Sequence, residues 1–526
     1  ATKLAEDPKE KDKVHYLHCK HYAAFLQEQE VHLKAGNQKE ALEAISREIE
    51  NVRAGWHWAI THRRAKEIEQ YLESLFFFYN MQSRFQEGEA VFRQAATSLR
   101  KANGLKADSP GNIDRILGQV LARQGLFCAS LGDYEKARGI MREGLGIFQN
   151  PDIRRDAPLS LNYLGAISLA LGEYQEARQL CQECLMIAQE RGDRWKEALA
   201  LEYLGLIAIS RSDYANAKEL AQRSLAVFRE FGYGSGIAGS LNILGIVARN
   251  LGGYAAAKKL CQESLVIAQE IGDRWEEALS LQYLSRIAIS QGEYVEAKEL
   301  AERSLAIYRK FDYTSGIALS LNLLGNAARY LGQYTEAKQL LQEVWQACQV
   351  LNYPLGTNLA SYSLGYLAYL LGNYGEAQRW LTASLETAHK LAYQHGLIRS
   401  LNALGKVACA LGGYKEARAY LYEALKVTQK IQAAPMILEV LTSLADLLIK
   451  EGRTVQAVEL LTFPLGHAAS KKETRDKASR LFTELAAKLP GQVIAAAQEK
   501  GKVDKLEERV AEILTQKMGE EALVLC

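Results

Sequence analysis

Seven glycines fall on a single 40-residue grid: Gly172, Gly252, Gly292, Gly332, Gly372, Gly412 and Gly452. Tyrosines keep the same interval (Tyr174, Tyr214, Tyr254, Tyr294, Tyr334, Tyr374 and Tyr414), and an alanine follows each by three residues, from Ala177 to Ala417. A period of this size marks an array of supersecondary units, each burying its apolar side only against its neighbours. Such a chain folds as an elongated solenoid rather than around one compact core.

One unit shows why. In residues 156–195 the stretch SLNYLGAISLALG carries apolar residues at helical spacing, and EYQEARQLCQECLMIAQE repeats the pattern after Gly172. Gly172 permits the positive φ of a tight interhelical turn. Gly192 sits where a C′ glycine ends a helix, and Asp193 is placed to cap the next one. Each unit therefore reads as two short antiparallel helices, A and B. Gly165, Gly205, Gly245, Gly325, Gly365 and Gly405 lie inside helix A. A mid-helix glycine costs about 0.5–1 kcal/mol relative to alanine. Its recurrence predicts close approach, with the alanine of helix B over the glycine of helix A. Leu164, Leu204, Leu244, Leu284, Leu324, Leu364 and Leu404 fill the spaces between neighbouring helices.

The pattern Leu-Gly, Gly-x-Tyr, then Ala resembles the tetratricopeptide repeat, in the longer 40-residue form of Pins/LGN-type scaffolds and bacterial regulators. The resemblance covers residues 66–466 and implies an all-α, right-handed superhelix. Nine pairs begin near residues 113, 157, 194, 235, 274, 315, 354, 394 and 434, after a degenerate pair in which Phe85 and Gly88 echo the Tyr and Ala positions. KANGLKADSPGN at 101–112 reads as an inserted loop. Residues 181–260 and 261–340 are near copies, so a two-unit block was duplicated. Residues 1–65 are expected to form linking and capping helices behind a charged, mobile start, and 467–526 to form C-terminal capping helices. The segment Glu48–Trp58 is similar to one that follows the ATPase core and winged helix of STAND-type signalling ATPases, whose C-terminal repeat array acts as a sensor. The LAAKLP…AAAQEKGK…LEERVAEIL tail is similar to tails of the same proteins.

Composition closes off other classes. The net charge of +2 creates no global field for nucleic acid, and no run is long and apolar enough to span a membrane. A P-loop and a GxSxG elbow are both lacking, so neither ATP hydrolysis nor α/β-hydrolase chemistry is expected and the chain reads as non-catalytic, without cofactors. The eight cysteines follow no pairing pattern; Cys181 and Cys261 occupy equivalent helix B positions and read as small buried groups, as suits a reducing cytoplasm. His15, His18, Cys19 and Tyr22 share one helical face, but no HExxH or CxxC context surrounds them and no metal site is assigned.

In tetratricopeptide arrays the first helix of each pair lines the concave surface. If that holds here, the inward position two residues before each internal leucine carries Asn162, Glu202, Asn242, Gln282, Asn322, Tyr362 and Asn402. Asparagine carries both donor and acceptor, so a ladder of it can clamp a peptide backbone or brace adjacent helices; both readings stand. Arg249, Arg286, Asn326, Arg329 and Lys406 share that face, Arg399 lies about a turn before Asn402, and Tyr330 and Tyr369 join them. This groove is expected to take a protein or peptide partner bearing acidic or phosphate groups. The leading reading is a sensor module of a STAND-type ATPase, with an NTPase domain upstream. The alternative is a free-standing scaffold joining partner proteins.

Overall fold

The computed structural model describes residues 8–101, 110–150, 152–503 and 505–524, and every regular element among them is helical. Most of the 101–112 segment, and the start of the charged N-terminus, lie outside the described residues. Helix pairs run without a break from Pro110–Ser130 with Tyr134–Ile147 to Ala434–Lys450 with Thr454–Gly466. They are preceded by Ala65–Met81 with Phe85–Arg100, and by Pro8–Leu33 with Gln38–Thr61.

The local rules hold at atomic detail. Gly172 turns from A to B at φ +82, and Gly192 ends helix B at φ +65. Asp193 then accepts a hydrogen bond from the backbone N–H of Lys196 at 3.1 Å. The close approach of A and B is real, but its partner is shifted by one turn from expectation. A Cβ at Gly245 would collide with the Cys261 sulfur, four residues beyond Ala257, and the Ala257 carbonyl oxygen lies 3.5 Å away. The unit with Ser285 in place of glycine uses its hydroxyl instead, donating to the Ala297 carbonyl at 2.8 Å.

Successive pairs are fastened by a buried serine ladder. Ser224, Ser264 and Ser304 each donate to a carbonyl of their own unit's helix A, at Ala198, Ala238 and Ala278. Each also meets a serine 16 residues on, in helix A of the next unit: Ser240, Ser280 and Ser320. Buried hydroxyls satisfied in this way fix the rotation between units without opening the apolar core.

The array winds tightly enough for its turns to touch. The A–B turn at Gly132 packs on Leu351, and that at Gly172 on Leu391, so contact recurs after about five and a half 40-residue units. Tyr134 and Tyr353 meet with ring centroids 6.2 Å apart, and the Tyr254 hydroxyl donates to the Ala469 carbonyl at 3.0 Å. Near the N-terminus aromatic rings fill the axis: Phe77 packs edge-on to Trp195 and Tyr233, and Phe85 to Trp275 and Tyr313. These rings are apolar mass that would otherwise face an open groove.

The ends are covered by helices with one apolar stripe. Lys472–Ala486 and the two helices after it, Gly491–Val503 and Leu506–Val524, bury Leu481, Leu485, Ala497 and Val510 with the last pair. Arg509 reaches Glu459 of that pair at 2.7 Å. No helix among the described residues is long and apolar enough to cross a membrane.

Candidate inner-face site

Tight winding puts most of the A-helix face inside the molecule. Asn162, Asn242, Gln282, Asn322, Tyr362 and Asn402 are all buried. Most of their amides have intramolecular partners. Asn242 donates to Ser280 Oγ at 3.0 Å and to Glu276 at 3.1 Å. Gln282 donates to Ser320 Oγ at 2.8 Å and to the Gly316 carbonyl at 3.0 Å. Asn326 donates to the Asn322 carbonyl at 2.8 Å and to Ser363 Oγ at 3.1 Å, and Asn402 donates to Glu439 at 3.1 Å. Asn162 is the exception, with neither amide atom bonded. Thirty-eight residues on, where Asn242 and Gln282 find Ser280 and Ser320, the chain carries Ala200, which has no hydroxyl to offer Asn162.

The charged and aromatic members converge toward the C-terminal half. Arg329 stacks on Tyr330 and Tyr366, 3.9 and 4.9 Å from the ring centroids. Arg399 covers Tyr362 at 3.8 Å, and the Lys406 ammonium lies 5.1 Å from Tyr366. Tyr369 packs beside Tyr366. Two carboxylates enter this group, Glu473 from the capping helix and Glu439 from the last A helix, forty residues after Arg399. Glu473, at the start of the capping helix, accepts from Tyr330 at 2.5 Å and Tyr366 at 2.9 Å. Glu439 meets Lys471 at 2.9 Å and Lys406 at 3.6 Å. Burial opposes both carboxylates, but Lys471 and Lys406 hold Glu439 well below the usual range, and Arg329 and Lys406 do the same for Glu473. Burial lowers Lys406, but Glu439, Tyr362, Glu473 and Tyr369 together raise it by more, leaving it at about 12.

One helix pair nearer the N-terminus the balance changes. A narrow cleft between Gly234–Asn250 and Arg274–Gln291 is lined by Gly245, Ile246, Arg249, Tyr283, Arg286 and Ile287. Arg249 donates to Asn250 Oδ1 at 2.7 Å, while its Nε and that of Arg286 have no partner. Burial, then the charges of Arg286 and Arg399, pull Arg249 down to about 10. The same burial and the charges of Arg249, Arg399 and Lys471 push His395 down to about 3, so its ring is neutral where it meets the Tyr214 hydroxyl.

A third zone is acidic. Glu202 and Glu276 flank Gly239, which stands where five other units carry Leu159, Leu199, Leu279, Leu319 and Leu359 and the last two carry Arg399 and Glu439. Burial raises Glu202 to about 8; burial, Asp273 and Glu202 raise Glu276 well above the usual range. Glu202 and Glu276 are 74 residues apart in the chain, so no local motif marks the pair. Gly239 was its legible trace, because loss of a leucine makes room for two carboxyls. Tyr366, four residues after Tyr362 on the same face, was likewise legible, and so was Glu439, forty residues after Arg399 on the last A helix; Lys471 and Glu473 were not, since only the winding brings them to this face.

The seven cysteines among the described residues are free and buried, and burial pushes Cys128, Cys184, Cys261 and Cys348 up to about 12. Cys19 packs in the N-terminal core, where Tyr71 donates to its carbonyl at 3.0 Å. Among the described residues no three His, Cys, Asp or Glu side chains converge as a metal site would require.

Stacked helical hairpins with a polar and aromatic inner face define an α-solenoid interaction module. Its repeats are tetratricopeptide repeats: that family matches residues 156–230, 236–310 and 356–430, and a second tetratricopeptide-repeat profile matches 317–352. The chain is thus a tetratricopeptide-repeat protein. No curated protein matches it. Among solved structures, it is similar to a Rap protein complexed with competence and sporulation factor, at 11% identity over 82% of this chain and 99% of that one, with TM-score 0.47. Aspartyl phosphate phosphatase F from Bacillus subtilis shares 14% identity over 70% of this chain and 94% of its own, with TM-score 0.43. A signal transduction ATPase with numerous domains and a tetratricopeptide repeat sensor, from Pyrococcus horikoshii, shares 13% identity over 79% of this chain and 55% of its own, with TM-score 0.40.

Proposed function

We propose that this chain is the non-catalytic recognition module of a STAND-type signalling ATPase, and that its inner face receives a protein or peptide segment bearing acidic or phosphate groups. The observation that carries this reading is the row of inner-face cations, Arg249, Arg286, Arg329, Arg399 and Lys406, interleaved with Tyr330, Tyr362, Tyr366 and Tyr369. Guanidinium groups stacked on tyrosine rings keep their donor edges available for carboxylate or phosphate. The Gly234–Asn250 helix supplies a route for the signal. Its first residue donates its backbone N–H to Gln38 Oε1 of the N-terminal helices at 2.8 Å, and Arg249 lies at its other end. A ligand held by Arg249 pulls on the helices nearest an upstream domain.

A photo-cross-linking side chain at Tyr369, on the inner face, tests the recognition surface against one at Val266, which is exposed on helix B. The reading requires a protein adduct from position 369 in the source cell; adducts from position 266 alone, or from neither, would refute it. An NTPase and winged helix on the same natural polypeptide would support the STAND assignment. A natural polypeptide without them would favour the free-standing scaffold.

A further inference from the structure

The inner face divides by how its cations are compensated. Toward the C-terminal cap, carboxylates of the chain itself answer the positive charges: Glu473 lies beside Arg329 and Lys406, and Glu439 pairs with Lys471 and Lys406. At Arg249 and Arg286 this answer is missing, and Arg399 feels the charge of Glu439 without pairing with it. The Arg286 side chain makes no hydrogen bond or ion pair, that of Arg249 bonds only to the neutral side chain of Asn250, and Arg399 lies against the ring of Tyr362. The neighbouring His395 ring is neutral, and the nearest acid, Glu439, is already shared by Lys471, Lys406 and Asn402.

Three guanidinium groups, arriving from three different helices, are thus gathered in the interior with their charges acting on one another. Each guanidinium carries five N–H donors in a planar fork. Confined like charges without a counter-ion are unfavourable, and a chain that supplies Glu439 and Glu473 a few residues away could supply one here as readily. What fits is an anion from outside with more than one negative charge and several acceptor oxygens, able to receive forked donors from more than one side.

We propose that Arg249, Arg286 and Arg399 form a binding site for a phosphate group inside the superhelix. The proposal rests on the inner face being the recognition surface and specifies where along it the anion is held. Lys406 is excluded from this site because it pairs with Glu439 at 3.6 Å, and Arg329 because the charge of Glu473 acts on it.

Inorganic pyrophosphate and orthophosphate serve as probes, titrated into the intact chain by calorimetry at constant ionic strength, with citrate as a carboxylate arm and chloride as control. Saturable one-to-one binding of a phosphate probe is expected, weakened at least tenfold in Arg286→Gln and in Arg249→Gln, and left within twofold in Lys259→Gln on helix B. Circular dichroism and melting of each variant establish that it is folded; if Arg249→Gln is not, Arg286→Gln carries the test alone. Binding of citrate with equal affinity would overturn the phosphate assignment. Binding that survives Arg286→Gln, or no saturable binding of any probe, would overturn the site. Failure here, with a position-369 adduct still formed in the source cell, removes the phosphate site and leaves the recognition surface standing; loss of the adduct with phosphate binding intact does the reverse.

Discussion

Replacing Glu202 by glutamine examines the acidic zone directly. Glu202 lies on the Arg194–Ser210 helix and faces Glu276 across Gly239, with Asp273, Tyr203 and Tyr233 as the other titratable neighbours. Asn242 donates to Glu276 and supplies no cation to the pair. Burial lifts the Glu202 carboxyl from 4.5 to about 8. Folding therefore raises its proton affinity. The contribution is fully present below pH 4.5 and is lost as the pH climbs through about 8. At about 1.4 kcal/mol per pH unit, this window is worth up to about 5 kcal/mol. Glutamine mimics the protonated acid in shape and does not titrate. Urea unfolding of the native chain between pH 5 and 8 should show a midpoint that falls with pH. In Glu202→Gln the fall should be shallower by the equivalent of one proton, with the two proteins nearly equal at pH 5 and the variant more stable at pH 8. Glu276 and Asp273 still titrate in the variant, so some slope remains. Parallel pH profiles for the two proteins would show that Glu202 is ionised in the folded state and would refute the argument.

Further perturbations address the packing. Ala200→Ser restores the hydroxyl that Asn162 lacks and should stabilise the array by about 1 kcal/mol in urea unfolding, provided that Asn162 turns to meet it. Gly245→Val forces a side chain into the Cys261 sulfur and should destabilise by about 1–3 kcal/mol; an unchanged melting curve would mean that helices A and B are further apart than described. Glu473→Gln strips Arg329 and Lys406 of a buried counter-charge and should cost about 3–5 kcal/mol, seen as faster hydrogen exchange across Lys472–Ala486. Gly252→Leu puts a side chain where φ is +89 and Ala469 packs, so small-angle scattering should report a more extended chain.

The unit itself was legible because its determinants lie within 40 residues of one another. The glycine turns, the Asp193 cap and the A–B contact each need only local spacing, and the error in that contact was one helical turn, from Ala257 to Cys261. Positions facing inward were legible for the same reason. Their environment was not. Whether Asn242 meets a ligand or Ser280 depends on the rotation between units, and whether Arg329 meets a ligand or Glu473 depends on about three and a half units of accumulated winding. Small angular increments add along the array, so the sequence period specifies each hairpin far more sharply than it specifies which turns of the coil will touch.

The seam between turns also bears on how such a chain can grow. Because the offset is a half-integer number of units, each A–B corner rests on a B–A corner, as Gly132 does on Leu351 and Gly172 on Leu391. Adding or removing whole hairpins preserves this pairing of unlike corners; a single extra helix would set like against like and leave a ridge facing a ridge. The near-identical blocks at 181–260 and 261–340 are multiples of the unit that the seam accepts. Lengthening by copying could thus extend the coil without any new solution at the junction.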